Sequence, residues 1–336
     1  VGKHQHVNLQ PLQITSPRFP SAPDVHRPDY APPPSPRHDW QVAPMLLGWR
    51  DTESPSSLAS LMGCSLRWAL NYHARLEKGR SLAIPGAPLV LGNLLHETVE
   101  TILLQKPESP EAAREAALAH FDEILASRAA TLLLPGAESE RQRMQRHTGE
   151  AAFHLTQLLA DAGLEVKEAE SSRQQPWLGG QIGGRIDLLL GEPPAIIDLK
   201  LGWGSGRRKE LENGTADSLA IYSHLICGGE GSYPPVAFYI LVEQTLLTVE
   251  PDRFPGAEPL EGPKPDETWA AVDRTARALQ DDIATGVLVA AGIQTDPDEK
   301  LIDESAIVDG RLVRPAPCRF CDFAALCGRQ FAEEVR

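Results

Sequence analysis

Apolar residues first recur along the chain at helical spacing. Leu58, Leu61, Met62, Leu66, Ala69 and Leu70 share one face of a helix that Ser56 or Ser57 can cap. A loop with Pro85, Gly86 and Pro88 leads to a second helix over residues 90–106, reading LGNLLHETVETILLQ. Two longer helices follow at 110–133, with Ser109 as cap and Pro110 in the first turn, and at 138–162. The period then changes. Residues 165–177 read as a strand, and GGRIDLLLGEPPAIIDLK (183–200) reads as two strands around the turn Gly191-Glu192-Pro193-Pro194. A helix at 207–226, strands at 236–242 and 246–250, a helix at 267–289 and a short terminal helix complete the pattern, with no internal repeat. This predicts an α/β fold, a central mixed sheet of about four or five strands flanked by helices, with a helical N-terminal part.

The hairpin carries the chemistry. Closing it as an antiparallel pair sets Leu190 opposite Ala195, Leu188 opposite Ile197 and Ile186 opposite Leu199, which makes one face apolar. The other face sets Arg185, Asp187 and Leu189 against Lys200, Asp198 and Ile196. Asp187 then lies across from Asp198, and carboxylates roughly 5 Å apart repel unless a cation sits between them. A divalent metal is the simplest such cation. A solvated face with an incidental acid pair and a lysine to offset it accounts for the hairpin equally well, because D-x-K is a common tripeptide.

Composition narrows the class. With 336 residues, 42% of them apolar and 23% charged, the chain reads as a globular protein of one large or two ordinary domains. No run approaches a membrane span and no signal peptide is visible, so the expected location is cytoplasmic, with no membrane partner. A net charge of -14 argues against broad attraction to nucleic acid. It leaves room for a DNA enzyme, since ligand carboxylates contribute to it and cations can cluster locally. Arg207-Arg208-Lys209 is such a cluster, either a solvated helix start or a phosphate contact. Residues 1–50 are Pro-rich and read as an extended arm that Trp40, Met45, Leu46, Leu47 and Trp49 could dock. The rest, 51–336, reads as one domain with a helical insertion at 107–163.

Five cysteines occur, and a chain of this kind has little use for disulfides. The tail PCRFCDFAALCG spaces Cys318, Cys321 and Cys327 as C-x-x-C and C-x5-C, which can wrap one metal centre given a fourth ligand from elsewhere. Zinc and an iron-sulfur cluster both fit that spacing. Cys227, at a helix end, reads as a buried small apolar residue.

An Asp on one strand and Asp-x-Lys on the next resembles the PD-(D/E)XK nucleases. Together with the cysteines, the arrangement looks like the iron-sulfur class of RecB-like nucleases, which includes AddB-type helicase-nuclease subunits and CRISPR-associated RecB-like exonucleases. The resemblance implies a restriction-endonuclease-like core and a C-terminal iron-sulfur clasp. Cys64, Cys318, Cys321 and Cys327 would hold a 4Fe-4S cluster, with Zn²⁺ as the alternative, and closing so long a loop would contribute several kcal/mol. SPSSLASLMGCSLRW resembles the AddB-type segment around its first cysteine, with Ser65 in place of the usual Pro. From GNLLHE, GGRIDLLL and IIDLKLG the resemblance implies His96, Asp187 and Asp198 as ligands of Mg²⁺ or Mn²⁺, with the backbone oxygen of Leu199. Lys200 would orient or polarise the attacking water. The family's Gln-x3-Tyr motif becomes Ser218 and Tyr222, which departs from the pattern at its first position, and Tyr222 serves equally as core. Glu170 is a weaker candidate acid. The implied activity is hydrolysis of DNA phosphodiesters by an exonuclease or flap-type enzyme, acting on single strands or duplex ends. The implied settings are repair, recombination or phage defence, beside a helicase or another subunit. The competing expectation is a nuclease-derived scaffold that binds DNA without cutting it, or a zinc-dependent binding module.

Overall fold

The computed structural model describes residues 35–76, 87–229, 231–296 and 300–331. Most of the Pro-rich arm, the loop at Pro85 and Gly86, and residues 332–336 lie outside the described residues. Two short strands come first, β1 (Asp39–Gln41) and β2 (Thr52–Glu53). Trp40, Leu47 and Trp49 pack onto the core while Met45 and Leu46 stay exposed. Helix α1 (Pro55–Gly63) is capped by Ser54 rather than by Ser56 or Ser57. The Ser54 hydroxyl accepts the Ser57 N–H, and Ser57 Oγ accepts the Ser54 N–H, with Pro55 opening the first turn. The helix predicted to run on to Leu70 breaks at Cys64, whose backbone is extended, and resumes as α2 (Ser65–Trp68) and a π turn at Ala69–His73.

Helices α3 (Ala87–Leu104), α4 (Pro110–Arg128) and α5 (Glu138–Asp161) form one layer. The Ser109 hydroxyl caps α4 by accepting the Ala112 N–H at 3.1 Å, as its sequence predicts. The apolar stripes of these helices, including Leu91, Leu95, Val99, Phe121 and Leu155, pack on Leu188, Leu190, Ile197 and Leu199 of the sheet.

The sheet has seven strands rather than the four or five expected. Strands β3 (Val166–Trp177), β4 (Gly180–Leu190), β5 (Ala195–Lys200), β6 (Val236–Ile240), β7 (Thr245–Thr248) and β8 (Glu258–Pro259) join β2 in the order β2-β4-β5-β6-β7-β8, with β3 along the other edge of β4. Between β5 and the parallel β6 the chain crosses over through α6 (Ser205–Glu212) and α7 (Asp217–Cys227). A single helix is predicted here. Gly214, with φ +65, splits it, and a Cβ there would sit 2.6 Å from Pro263. Helices α6 and α7 cover the second face of the sheet, where Ile196, Leu219, Phe238 and Ile240 form a separate core. Buried on both faces, the central strands are apolar almost throughout.

Helix α8 (Pro265–Ala284) ends five residues before its predicted end. Gly286, with φ +84, turns the chain into β9 (Val287–Val289), which pairs antiparallel with β1. The hairpin of β10 (Ala306–Val308) and β11 (Arg311–Val313) leads to the cysteine tail. Helices α1, α2, α7 and α8 share a third core that includes Trp177, Leu312 and Cys327. Among the described residues no helix is long and apolar enough to cross a membrane.

Candidate active site

Strands β4 and β5 pair in the expected register at Leu188/Ile197, Leu189/Ile196 and Leu190/Ala195. Beyond that point the ladder opens. The Leu199 N–H donates to the Asp187 carboxylate at 2.7 Å instead of to a backbone carbonyl. Glu170, which lies between the partners of Leu188 and Ile186 on β3, has a left-handed backbone with φ +51. Strict alternation fails as a result. Ile186 joins the core under α6 and α7, not the one that holds Leu188 and Leu199, so the predicted Ile186/Leu199 contact on a single apolar face does not form.

The irregularity turns Asp187 toward α3. His96 Nδ1 lies 3.6 Å from Asp187 Oδ2 and 3.8 Å from Glu100 Oε1, one helical turn further along. The three residues offer ligand atoms all within 4.8 Å of one another. Glu100 is buried, and its Oε1 has no hydrogen-bond partner. A buried carboxylate oxygen without a hydrogen bond, 3.8 Å from an imidazole, favours a cation nearby. Burial first, then Asp198, push the Asp187 carboxyl up to about 7, against the pull of His96 and Lys200. Asp198 is buried and pairs with the Lys200 ammonium. The structure thus groups Glu100, which sequence reasoning missed, with His96 and Asp187, while Asp198 turns to Lys200. The signal was present in the sequence, an acid four residues after His96 on the same helix face.

These side chains line a cleft of about 1210 Å³, together with Glu170, Arg185, Arg207, Ser218 and Tyr222. Burial, then Asp198 and Asp187, raise the Tyr222 hydroxyl above its ordinary value. The ring fits because residue 184 is glycine, where a Cβ would lie 2.7 Å from Tyr222 Cε1. The sequence profile of the PD-(D/E)XK nuclease superfamily matches residues 52–328. The chain belongs to that superfamily. Nucleases of this superfamily use divalent metal ions, and the His96, Glu100 and Asp187 group has the donor chemistry for one. Among the solved structures that align with this PD-(D/E)XK chain, two illustrate the likeness. A candidate exonuclease from Eubacterium rectale aligns at 11% identity and TM-score 0.40, over 75% of this chain and 91% of the other. The protein SSO0001 aligns at 16% identity and TM-score 0.25, over 71% and 95%. At such scores neither superposition adds to the family assignment. A search of curated proteins returns no significant match.

Other residues of this PD-(D/E)XK nuclease fall outside the cleft. Arg208 is taken up by Glu258, at 2.7 and 2.8 Å, and by Glu243, and Lys209 pairs with Glu304, while Arg207 pairs with Glu210 and is the one of the triplet that lines the cleft. Cys227 is half-buried, its sulfur accepting the Gly229 N–H. Cys64, Cys318, Cys321 and Cys327 line one small pocket, with Gly292 against Cys318. Burial pushes the Cys64 and Cys318 thiols up, and the neighbouring cysteines add to both shifts.

Proposed function

We propose that the chain is a divalent-metal-dependent deoxyribonuclease that hydrolyses phosphodiesters at single-stranded or duplex DNA ends, serving repair, recombination or phage defence beside a helicase subunit. The observation that carries this reading is the buried Glu100 Oε1, without a hydrogen bond, facing His96 and Asp187 in a large cleft. A hard divalent cation such as Mg²⁺ or Mn²⁺ would supply positive charge to the phosphate oxygens and acidity to a water. His96, Glu100 and Asp187 would hold it, with the Leu199 carbonyl as a further oxygen donor. The bond from the Leu199 N–H fixes the Asp187 carboxylate, and Asp198 restrains the Lys200 ammonium, so both are oriented before substrate arrives. Lys200 would then orient the attacking water or steady a phosphate oxygen.

The four cysteines would hold a 4Fe-4S cluster as a structural clasp. Among the described residues no three of their sulfurs lie within 4.8 Å of one another. Their lining of one small pocket supports a shared centre, with Zn²⁺ as the alternative to the cluster.

Cleavage of labelled single- and double-stranded DNA with and without Mn²⁺ tests the proposal. Asp198→Asn and Lys200→Ala should each cut at least about a hundred-fold more slowly while still folding. Undiminished cutting by both variants refutes it. The Ser218 departure favours one other reading, a nuclease-like scaffold, which predicts DNA binding with no Mn²⁺-dependent product from the wild type.

A further inference from the structure

Trp203 is the one exposed tryptophan of the six in the chain, at 76%. Among the described residues it makes no hydrogen bond, ring stack or cation contact, and Gly202 and Gly204 flank it. Its setting is unusual for an idle surface residue. The loop follows Lys200, the last residue of β5, and runs into the first turn of α6, where Arg207 lies; Lys200 and Arg207 both line the cleft. Both cations lie over the same ring, Lys200 Nζ 5.7 Å and Arg207 Cζ 5.6 Å from the centre of Phe238. The loop therefore leaves and rejoins the cleft wall at one point, with Trp203 between. Three residues of chain span at most about 11 Å, so Trp203 is held within a few nucleotide steps of Lys200.

The base of the loop is fastened. The Gly204 N–H donates to Glu243 Oε1 at 2.7 Å, and Arg208 bridges Glu243 and Glu258. A Cβ at Gly204 would lie 2.4 Å from Arg208 Nη1, so only glycine lets the guanidinium come this close. Arg208 thus acts as the clamp beneath Trp203, which explains why it is withheld from phosphate. An exposed indole on a clamped loop beside two phosphate-compatible cations has the makings of a stacking surface, since every unpaired base has a π face.

We propose that Trp203 is a stacking platform for an unpaired base beside the scissile phosphate, which makes single-stranded nucleic acid the substrate form this cleft takes. The inference rests on the nuclease reading above. It is tested by the anisotropy of a labelled oligodeoxyadenylate without divalent metal, for the full-length wild type, Trp203→Ala and Trp203→Phe, and by the same measurement with an abasic strand of equal length. Losing one base stack weakens binding about 5- to 150-fold. Trp203→Ala should show that loss, Trp203→Phe should recover most of it, and the abasic strand should bind wild type and Trp203→Ala alike. The melting temperature of Trp203→Ala should equal that of the wild type, because the residue is largely exposed. Equal affinities of wild type and Trp203→Ala for the adenylate strand overturn the platform and leave the nuclease standing, as does a loss that persists on the abasic strand, the mark of a protein-docking or structural role. A wild type that neither binds the strand nor cuts it with Mn²⁺ overturns both.

Discussion

The acidic cleft and the cysteine pocket each gather donor atoms from distant parts of the chain, but on very different supports. In the cleft, His96 and Glu100 sit on an 18-residue helix, and Asp187, Asp198 and Lys200 on strands with apolar cores on both faces. In the cysteine pocket, Cys64 occupies the break between α1 and α2, Cys318 a one-turn 3-10 segment, and Cys321 and Cys327 the turns that follow. The first arrangement owes its geometry to packing. The second rests on a core through Cys64 and Cys327, while Cys318 and Cys321 lie outside it, so the centre proposed above would supply much of the order of the tail.

The largest expected effect follows from that difference. Cys64→Ser should lower the melting temperature by about 5 °C or more, the consequence of losing several kcal/mol of ligand-linked folding. Limited proteolysis should then enter near the tail. Anaerobically purified wild type should be brown and the variant should not. Chelating the divalent cation should leave the tail as protected as before. If chelation and Cys64→Ser open the same peptide bonds, the two regions do not differ in the way their supports suggest.

What the sequence revealed follows the same division. Asp187, Asp198 and Lys200 came from the strand pattern and His96 from the resemblance of GNLLHE, and the four line one cleft, while the register from Leu188 to Leu190 followed from the turn alone. The parity break was not readable, since it depends on the backbone of Glu170 on a neighbouring strand. Glu100 was missed: it lies one turn from His96, but nothing local says that an i+4 acid is buried rather than solvated. Asn213-Gly214 is a turn signal that the apolar residues after it obscured. The three-residue strands β1 and β9 pair across more than 240 positions, and no periodicity resolves strands so short.

Asp187 probes the cleft more finely. Its carboxyl sits at about 7, against an ordinary value of 3.8, so the folded protein holds this proton more tightly than the unfolded chain. The stabilisation is complete below about pH 4 and is lost as pH rises toward 7, on the order of 2–4 kcal/mol. Metal-free wild type should therefore fall relative to Asp187→Asn between pH 4 and 7 in chemical denaturation, and the gap should then level off. Saturating Mn²⁺ should remove the decline by offsetting the ionised carboxylate. A gap that is constant with pH would mean that Asp187 has no unpaired charge to relieve.

The smallest effects come from one added methyl group in each region. At Gly184 a Cβ lies 2.7 Å from the ring of Tyr222, and at Gly292 it lies 2.0 Å from Cys318 Sγ. Overpacking of this kind costs about 1–3 kcal/mol where neighbours are held in place. Gly184→Ala should pay that cost as a melting temperature lower by a few degrees with slower cleavage, and iron content unchanged. Gly292→Ala displaces a sulfur on a turn that packing scarcely restrains, so its loss should appear mainly as reduced iron absorbance. Gly92→Ala, on the cleft-lining face of α3, meets only Leu201 Cδ2 at 3.8 Å, an ordinary contact, and gains helix propensity of up to about 1 kcal/mol. It should leave stability level or slightly higher, which makes it the control for both. Iron loss from Gly184→Ala would show that the two regions are mechanically one, because α7, which carries Tyr222, also packs in the core that holds Cys327.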